Sequence, residues 1–271
     1  MLIEIRHTTR YSYGHPVDHA LQRLRLTPGS SPAQEVLSWS LAMPGIETAV
    51  NYLDAIGNPT HLVICPEPVE TIEVIAEGVV ETRATHGVVG FDTSSTPPWV
   101  FLRDTPATAA DPALRRFAEE LPEGTLLERL HALLAAIHAR VAFDTNATHS
   151  GTSAAEAFAS GRGVCQDHTH IFICVARLLG IPARYVTGYM HVNGEEFALA
   201  HHAWAEAYMP DIGWVGFDAA NGVSPSEQYV RLAGGFDAPA TAPVTGSRMG
   251  GGLEALDVHV EVRQAQQQSI Q

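Results

Sequence analysis

Between Gly161 and Phe217 the sequence changes its apolar period, and that change confines the chain to a helix packed against an antiparallel sheet. Ile171, Cys174, Val175, Leu178 and Leu179 recur at helical spacing, and Gly180 followed by Pro182 closes the run. Ala183 to Tyr189, Ala203 to Met209 and Trp214 to Phe217 then read as strands, the last two joined by the turn-like Pro210-Asp211-Ile212-Gly213. The helix begins directly after Gly161-Arg162-Gly163-Val164, which puts Cys165 at its N-terminus. Unpaired backbone N–H groups and the positive end of the helix dipole favour a thiolate there.

Strand registers supply partners for that thiol. A hairpin centred near Pro210 pairs positions whose numbers sum to about 420, so His202 falls opposite Asp218. A loop centred on Glu195 pairs the two preceding strands and sets Arg184 against Glu206 and Gly188 against His202. Strand alternation turns His201 and Ala203, Ala205 and Ala207 to the face opposite His202. A base beside a carboxylate, with a thiol at a helix start, fits the role logic of a Cys-His-Asp triad.

The four segments GVCQD, IPARYVTGY, HHAWAEAYMP and GWVGFDAANG, in that order, resemble the core of the bacterial transglutaminase-like proteins, a papain-like group. Upstream, HTTRYSYGHPV, LQRLRLTPG and DAIGNPTHL resemble the N-terminal domain that accompanies this core in many bacterial members. Position by position, the resemblance implies Cys165 as nucleophile, His202 as acid/base and Asp218 as the third member. It implies acyl transfer from a peptide or protein amide through a Cys165 thioester, with no cofactor and no metal. Water as acceptor makes a cysteine protease or amidase; an amine makes a transglutaminase. A non-catalytic binding module on the same fold is the opposing reading, and the intact triad argues against it, since fold alone does not require those side chains. The chain departs from the family pattern at Asp218-Ala219-Ala220, where Asp-Pro-Thr is commoner, and at His168, where an aromatic is usual. The backbone N–H of Cys165 is the natural first oxyanion donor, and no glutamine precedes Cys165 within the motif to act as the second.

The expected fold class is α+β: a β-sandwich-like module over residues 1–85, a linker over 86–112, the core over 113–262 and a polar end over 263–271. The module rests on strand-like runs at Leu2 to Tyr13, Leu21 to Leu26, Glu35 to Met43, Thr60 to Ile64 and Glu70 to Val80. His7, Arg10, Tyr11 and Tyr13 there read as sheet packing. Trp99 and Phe101 are expected to pin the linker. Leu126, Leu127, Leu130, Leu133, Leu134, Ile137 and Val141 trace one face of an amphipathic helix. Ser153 with Glu156 is a capping box that opens a short helix ending near Gly161. Leu256 to Val262 reads as a last strand of the core.

Composition removes other classes. A formal net charge of −14 argues against nucleic acid or an anionic membrane as partner, and every basic residue is arginine. Cys65, Cys165 and Cys174 make an odd set without metal-type spacing, which fits a reducing, cytoplasmic setting. Cys65 and Cys174 read as small core hydrophobes. His168, His170 and His191 near Asp167 and Cys165 lack the paired spacing of a zinc site, and Asp167 reads as a first-turn acid.

Overall fold

The computed structural model describes residues 1–65, 68–91, 96–192 and 201–265. Two antiparallel sheets organise them. The first begins with β1 (Leu2–Leu24), β2 (Gln34–Ala42), β3 (Val50–Leu53), β4 (Pro59–Cys65) and β5 (Val69–Thr82). After β6 (Val88–Gly90) come α1 (Pro112–Glu119), α2 (Leu126–Arg140), β7 (Ala142–Phe143), α3 (Ala154–Ser160), β8 (Arg162–Gly163) and α4 (Cys165–Leu178). Then follow β9 (Ala183–Met190), β10 (His201–Met209), β11 (Gly213–Phe217), β12 (Tyr229–Gly235), α5 (Ala238–Thr241), β13 (Val244–Gly250) and β14 (Glu254–Gln264).

The two strands expected before residue 27 are one. Ile3, Ile5, His7 and Thr9 alternate inward along β1, and the pairing becomes irregular between Ser12 and Val17, where Pro16 offers no N–H to a ladder. The first half of β1 pairs with β5 and β14, the second half with β4 and β13. Both halves bury side chains in one core with Val63, Ile72, Val74, Val260 and Val262, which makes the module sandwich-like. Each such aliphatic burial is worth roughly 1.5–3 kcal/mol. The strand expected over Leu256 to Val262 as the end of the core belongs instead to this first sheet, because β14 continues its alternation against β1 from Ile3 to Tyr13.

The second sheet runs β12-β9-β10-β11-β6, and α4 lies on it. Ala203, Ala205 and Ala207 face Ile171, Phe172 and Val175 in its core, where the small side chains admit the helix closely. Within α2, Leu130, Leu133, Leu134 and Ile137 are buried as the periodicity requires, whereas Leu127 in the first turn is exposed. The expected linker is part of the structure: β6 pairs with β11, and Phe101 packs edge-on against Trp214 at 5.3 Å. Buried Arg177 of α4 donates to Phe101 O at 2.8 Å and to Thr108 Oγ1 at 2.7 Å. Trp99, expected to help pin this segment, is exposed.

Side-chain amides join the sheets. Asn58 exchanges two 2.8 Å hydrogen bonds with the backbone of Gly234, and Gln34 bonds the backbone of Arg231 at 2.7 and 2.8 Å. These bonds satisfy backbone groups of β12 at the sheet edge. Arg184 and Glu206 are cross-strand partners, as the loop centring predicts, with Nε to Oε2 at 2.6 Å and both side chains buried. Arg231 Nε, which the register did not indicate, donates to the other carboxylate oxygen at 3.0 Å. Glu206→Gln removes the charge from between two guanidinium groups and is expected to destabilise the fold by about 3–5 kcal/mol. Urea unfolding measures this; an unchanged midpoint would show that the pair contributes nothing.

Candidate active site

Local chemistry fixes the start of α4. The Ser153–Glu156 capping box opens α3, and Gly161 ends it at φ 66°, a left-handed conformation that suits glycine. The chain then passes through β8, paired in parallel with β7, to Val164 at the N-cap. Asp167 is fully buried, and its Oδ2 accepts from Val164 N at 2.8 Å and Thr148 Oγ1 at 2.6 Å. Gly163 is required beside it, because a Cβ there would lie 2.6 Å from that oxygen. The ring nitrogens of His168 lie 2.8 Å from Val164 O and 2.9 Å from Val141 O, so the imidazole sits between α4 and the end of α2. An aromatic hydrocarbon at 168 could donate to neither carbonyl.

Cys165 is therefore the first residue of α4 and is partly exposed, whereas Cys65 and Cys174 are buried. Burial pushes the Cys174 thiol up to about 12 and raises that of Cys65. Cys165 is expected to react with iodoacetamide at neutral pH well before the other two, read by mass spectrometry of tryptic peptides. Labelling of Cys65 or Cys174 at an equal rate would contradict that ranking.

The second hairpin is displaced two residues from the expected register: Ala205 pairs with Phe217 and Tyr208 with Trp214. A two-residue shift preserves the face, so Asp218 becomes a diagonal neighbour of His202 and stays within reach. His202 Nε2 lies 2.7 Å from Asp218 Oδ2, and both side chains are buried. Gly188 lies opposite His202 as expected; a Cβ there would lie 2.2 Å from Val230 O, so β12 passes too close for any side chain.

Burial opposes a charged imidazole at His202. The hydrogen bonds to Asp218 and then to Cys165, together with the charges of both, overcome it and raise the group to about 10. With Nε2 taken by the carboxylate, Nδ1 is the nitrogen left for the thiol. Burial likewise opposes the Asp218 carboxylate, and hydrogen bonding to His202 with the charge of the imidazolium leaves its pKa below the ordinary range. Tyr229 Oη donates to Oδ2 at 2.8 Å and Asn221 Nδ2 at 2.7 Å, while Ala220 N and Asn221 N reach Oδ1 at 3.1 and 3.2 Å.

The structure thus brings together all three residues proposed from the sequence. Sequence reasoning missed Asn221 and Tyr229. An Asp followed three residues later by Asn, in a turn before Gly222, is a local signal for the first. Tyr229 is delivered by β12 from across the sheet and has no such signal. His7, assigned to sheet packing, stands where the sheets meet: Nδ1 is 3.0 Å from Tyr189 Oη, and its ring centroid is 5.8 Å from that of His201. Within the Asp/His cluster that lacks zinc-type spacing, Asp167 and His168 are occupied as described, and His170 Nε2 accepts from Ala238 N at 3.1 Å. His191 lies at the last described position but one before the undescribed stretch, which also contains Glu195, the expected loop centre.

Residues 115–219 match the model of the transglutaminase-like superfamily, and residues 3–81 match that of the bacterial transglutaminase-like N-terminal region. The uncharacterized protein ML0607 of Mycobacterium leprae is 30% identical over 96% of this chain and 98% of its own length. A protein-glutamine gamma-glutamyltransferase of Pseudomonas aeruginosa is 30% identical over 161 residues, covering 52% of this chain and 24% of that protein. A crystal structure from Cytophaga hutchinsonii, described as that of a candidate cysteine protease, superposes with TM-score 0.76 at 24% identity over 97% of this chain and 90% of its own, which establishes the likeness of fold. With the core motifs, the N-terminal module and the full-length relative in agreement, the chain belongs to the transglutaminase-like superfamily and carries its bacterial N-terminal region.

Proposed function

We propose that the protein is a thiol enzyme that cleaves amides, a cysteine protease or amidase. The observation that carries this reading is the 2.7 Å His202–Asp218 bond, with Cys165 within interaction range of the same imidazole. The Cys165 thiolate attacks the amide carbon, and the oxygen becomes an oxyanion beside the helix N-terminus. The C–N bond breaks as His202 passes its proton to the leaving nitrogen, leaving a thioester and a neutral imidazole. His202 then takes a proton from water as its oxygen attacks the thioester. The C–S bond breaks, and carboxylic acid, thiolate and imidazolium remain.

Partial exposure of Cys165 favours water as acceptor, since a thioester reached by solvent hydrolyses. The relationship to a protein-glutamine gamma-glutamyltransferase favours a second reading, in which an amine accepts the acyl group. A partition experiment separates them: acyl-enzyme formed from a peptide amide is offered increasing primary amine. Carboxylic acid is expected to remain the main product at millimolar amine, and amide product dominating there would establish transfer instead. Free thiols at all three cysteines support placing the protein in a reducing compartment.

A further inference from the structure

A cleft of about 330 Å³ opens between α4, β9 and the segment through α5. That volume falls in the lower part of the range of small-molecule sites, roughly 300–1,000 Å³. Gln166, which follows Cys165 on α4, places the cleft near the thiol, and His201 sets it on the sheet face opposite His202. Tyr185, Thr187, Ser150 and a wall of alanine, proline and threonine from 238–243 complete it, and no Asp, Glu, Lys or Arg is among its lining residues.

Tyr185 is 4% exposed and its ring lies 5.2 Å from that of His170, yet its hydroxyl makes no hydrogen bond among the described residues. The hydroxyl opens onto the cleft, where it is free to donate to an acceptor supplied from outside the chain. Gln166 and Thr187 are engaged elsewhere: Gln166 Nε2 donates to Ser150 O at 3.2 Å, and Thr187 Oγ1 is 3.0 Å from His201 Nε2. Burial, and then the charges of Cys165, Asp167 and Asp237, hold the phenol protonated and hence a donor.

We propose that the cleft is the subsite for the acyl half of the substrate, taking a peptide segment of small side chains without carboxylates, with the Tyr185 hydroxyl donating to a substrate carbonyl. This rests on the thiol-enzyme reading above. The cleft excludes an anionic segment, because its lining offers no cation and the charges of Cys165, Asp167 and Asp237 act at its Tyr185 wall, so a carboxylate entering it gives up hydration without repayment. Tyr185 sets specificity by binding and lies apart from the Cys165–His202–Asp218 arrangement.

The test uses the full chain with p-nitrophenyl esters of acetyl-Ala-Asn and acetyl-Asn-Ala and of their Asp counterparts, which match in shape and differ in charge. A nitrophenol burst equal to the enzyme concentration, absent from Cys165→Ala, is expected with the Asn esters. Placing Asp in one of the two positions is expected to lower kcat/KM about tenfold or more, a modest value for an unpaired buried charge. Tyr185→Phe keeps the ring and is expected to raise KM for the Asn esters roughly three- to tenfold at unchanged kcat and burst size, as suits one neutral hydrogen bond. Equal kcat/KM for Asn and Asp esters in wild type overturns the cleft assignment whatever the variant does. An unchanged KM in a folded Tyr185→Phe protein overturns the role of the hydroxyl. No burst in wild type, or a burst that survives Cys165→Ala, overturns the thiol-enzyme reading itself and the subsite with it.

Discussion

His202→Ala is expected to lower kcat on amides by about 10⁴-fold or more, on the scale of removing the base from a hydrolytic triad. Two steps depend on this ring. It carries the proton that the leaving nitrogen needs, and it later activates the second nucleophile. In the variant the amide nitrogen must leave unprotonated, and any thioester awaits uncatalysed water. Alkylation of Cys165 at neutral pH should also slow, because the imidazolium that stabilises the thiolate is gone. Turnover within tenfold of wild type would remove His202 from the mechanism.

Asp218→Asn is expected to lower kcat by up to about 10⁴-fold, the loss seen when a triad imidazole is held in the wrong tautomer. Every group around this carboxylate is a donor: His202 Nε2, Tyr229 Oη, Asn221 Nδ2 and the backbone N–H of Ala220 and Asn221. An asparagine must turn its NH₂ towards donors in either orientation, so loss of stability accompanies loss of turnover and unfolding must be measured beside it. The pH profile provides an independent readout. His202 titrates at about 10 in the folded protein, so wild-type activity should persist through neutral pH and fall as the imidazolium deprotonates towards pH 10. With the Asp218 charge removed, that alkaline fall should move down towards the ordinary histidine range, near 6.5.

The same coupling bears on stability. The folded state holds the His202 proton more tightly than the unfolded chain does, so its stabilisation is fully present below about pH 6.5. It declines as pH rises and is lost through the folded value of about 10. Asp218 acts oppositely: its depressed pKa stabilises the fold above the unfolded value near 3.9 and is lost as pH falls through the lower folded value. An optimum between these limbs is expected in urea unfolding followed across pH.

Much of this site was legible because strand parity is robust. The centre of the β9–β10 loop set Arg184 against Glu206 and Gly188 against His202, and both pairs occur. The β10–β11 centre was two residues off, yet an even error keeps side chains on the same face, and the His202–Asp218 contact survived it. Caps read equally well: Ser153 with Glu156, and the start of α4 at Cys165, depend on residues close in sequence. Illegible from sequence was whatever depends on distant return of the chain. Leu256 to Val262 alternates as any half-buried strand does, and alternation does not name a partner sheet. Tyr229 reaches Asp218 only because β12 lies beside β9, and His7 meets Tyr189 only because the sheets abut.

Intact-protein and peptide mass spectrometry after acid quench of the enzyme with a peptide amide tests the central claim most directly. The account predicts an acyl adduct, with loss of the leaving amine, on the peptide containing Cys165, more abundant in Asp218→Asn if deacylation is slowed more than acylation, and absent from Cys165→Ala. Amide cleavage that continues in Cys165→Ala, or an adduct carried by Cys65 or Cys174 instead, would contradict it.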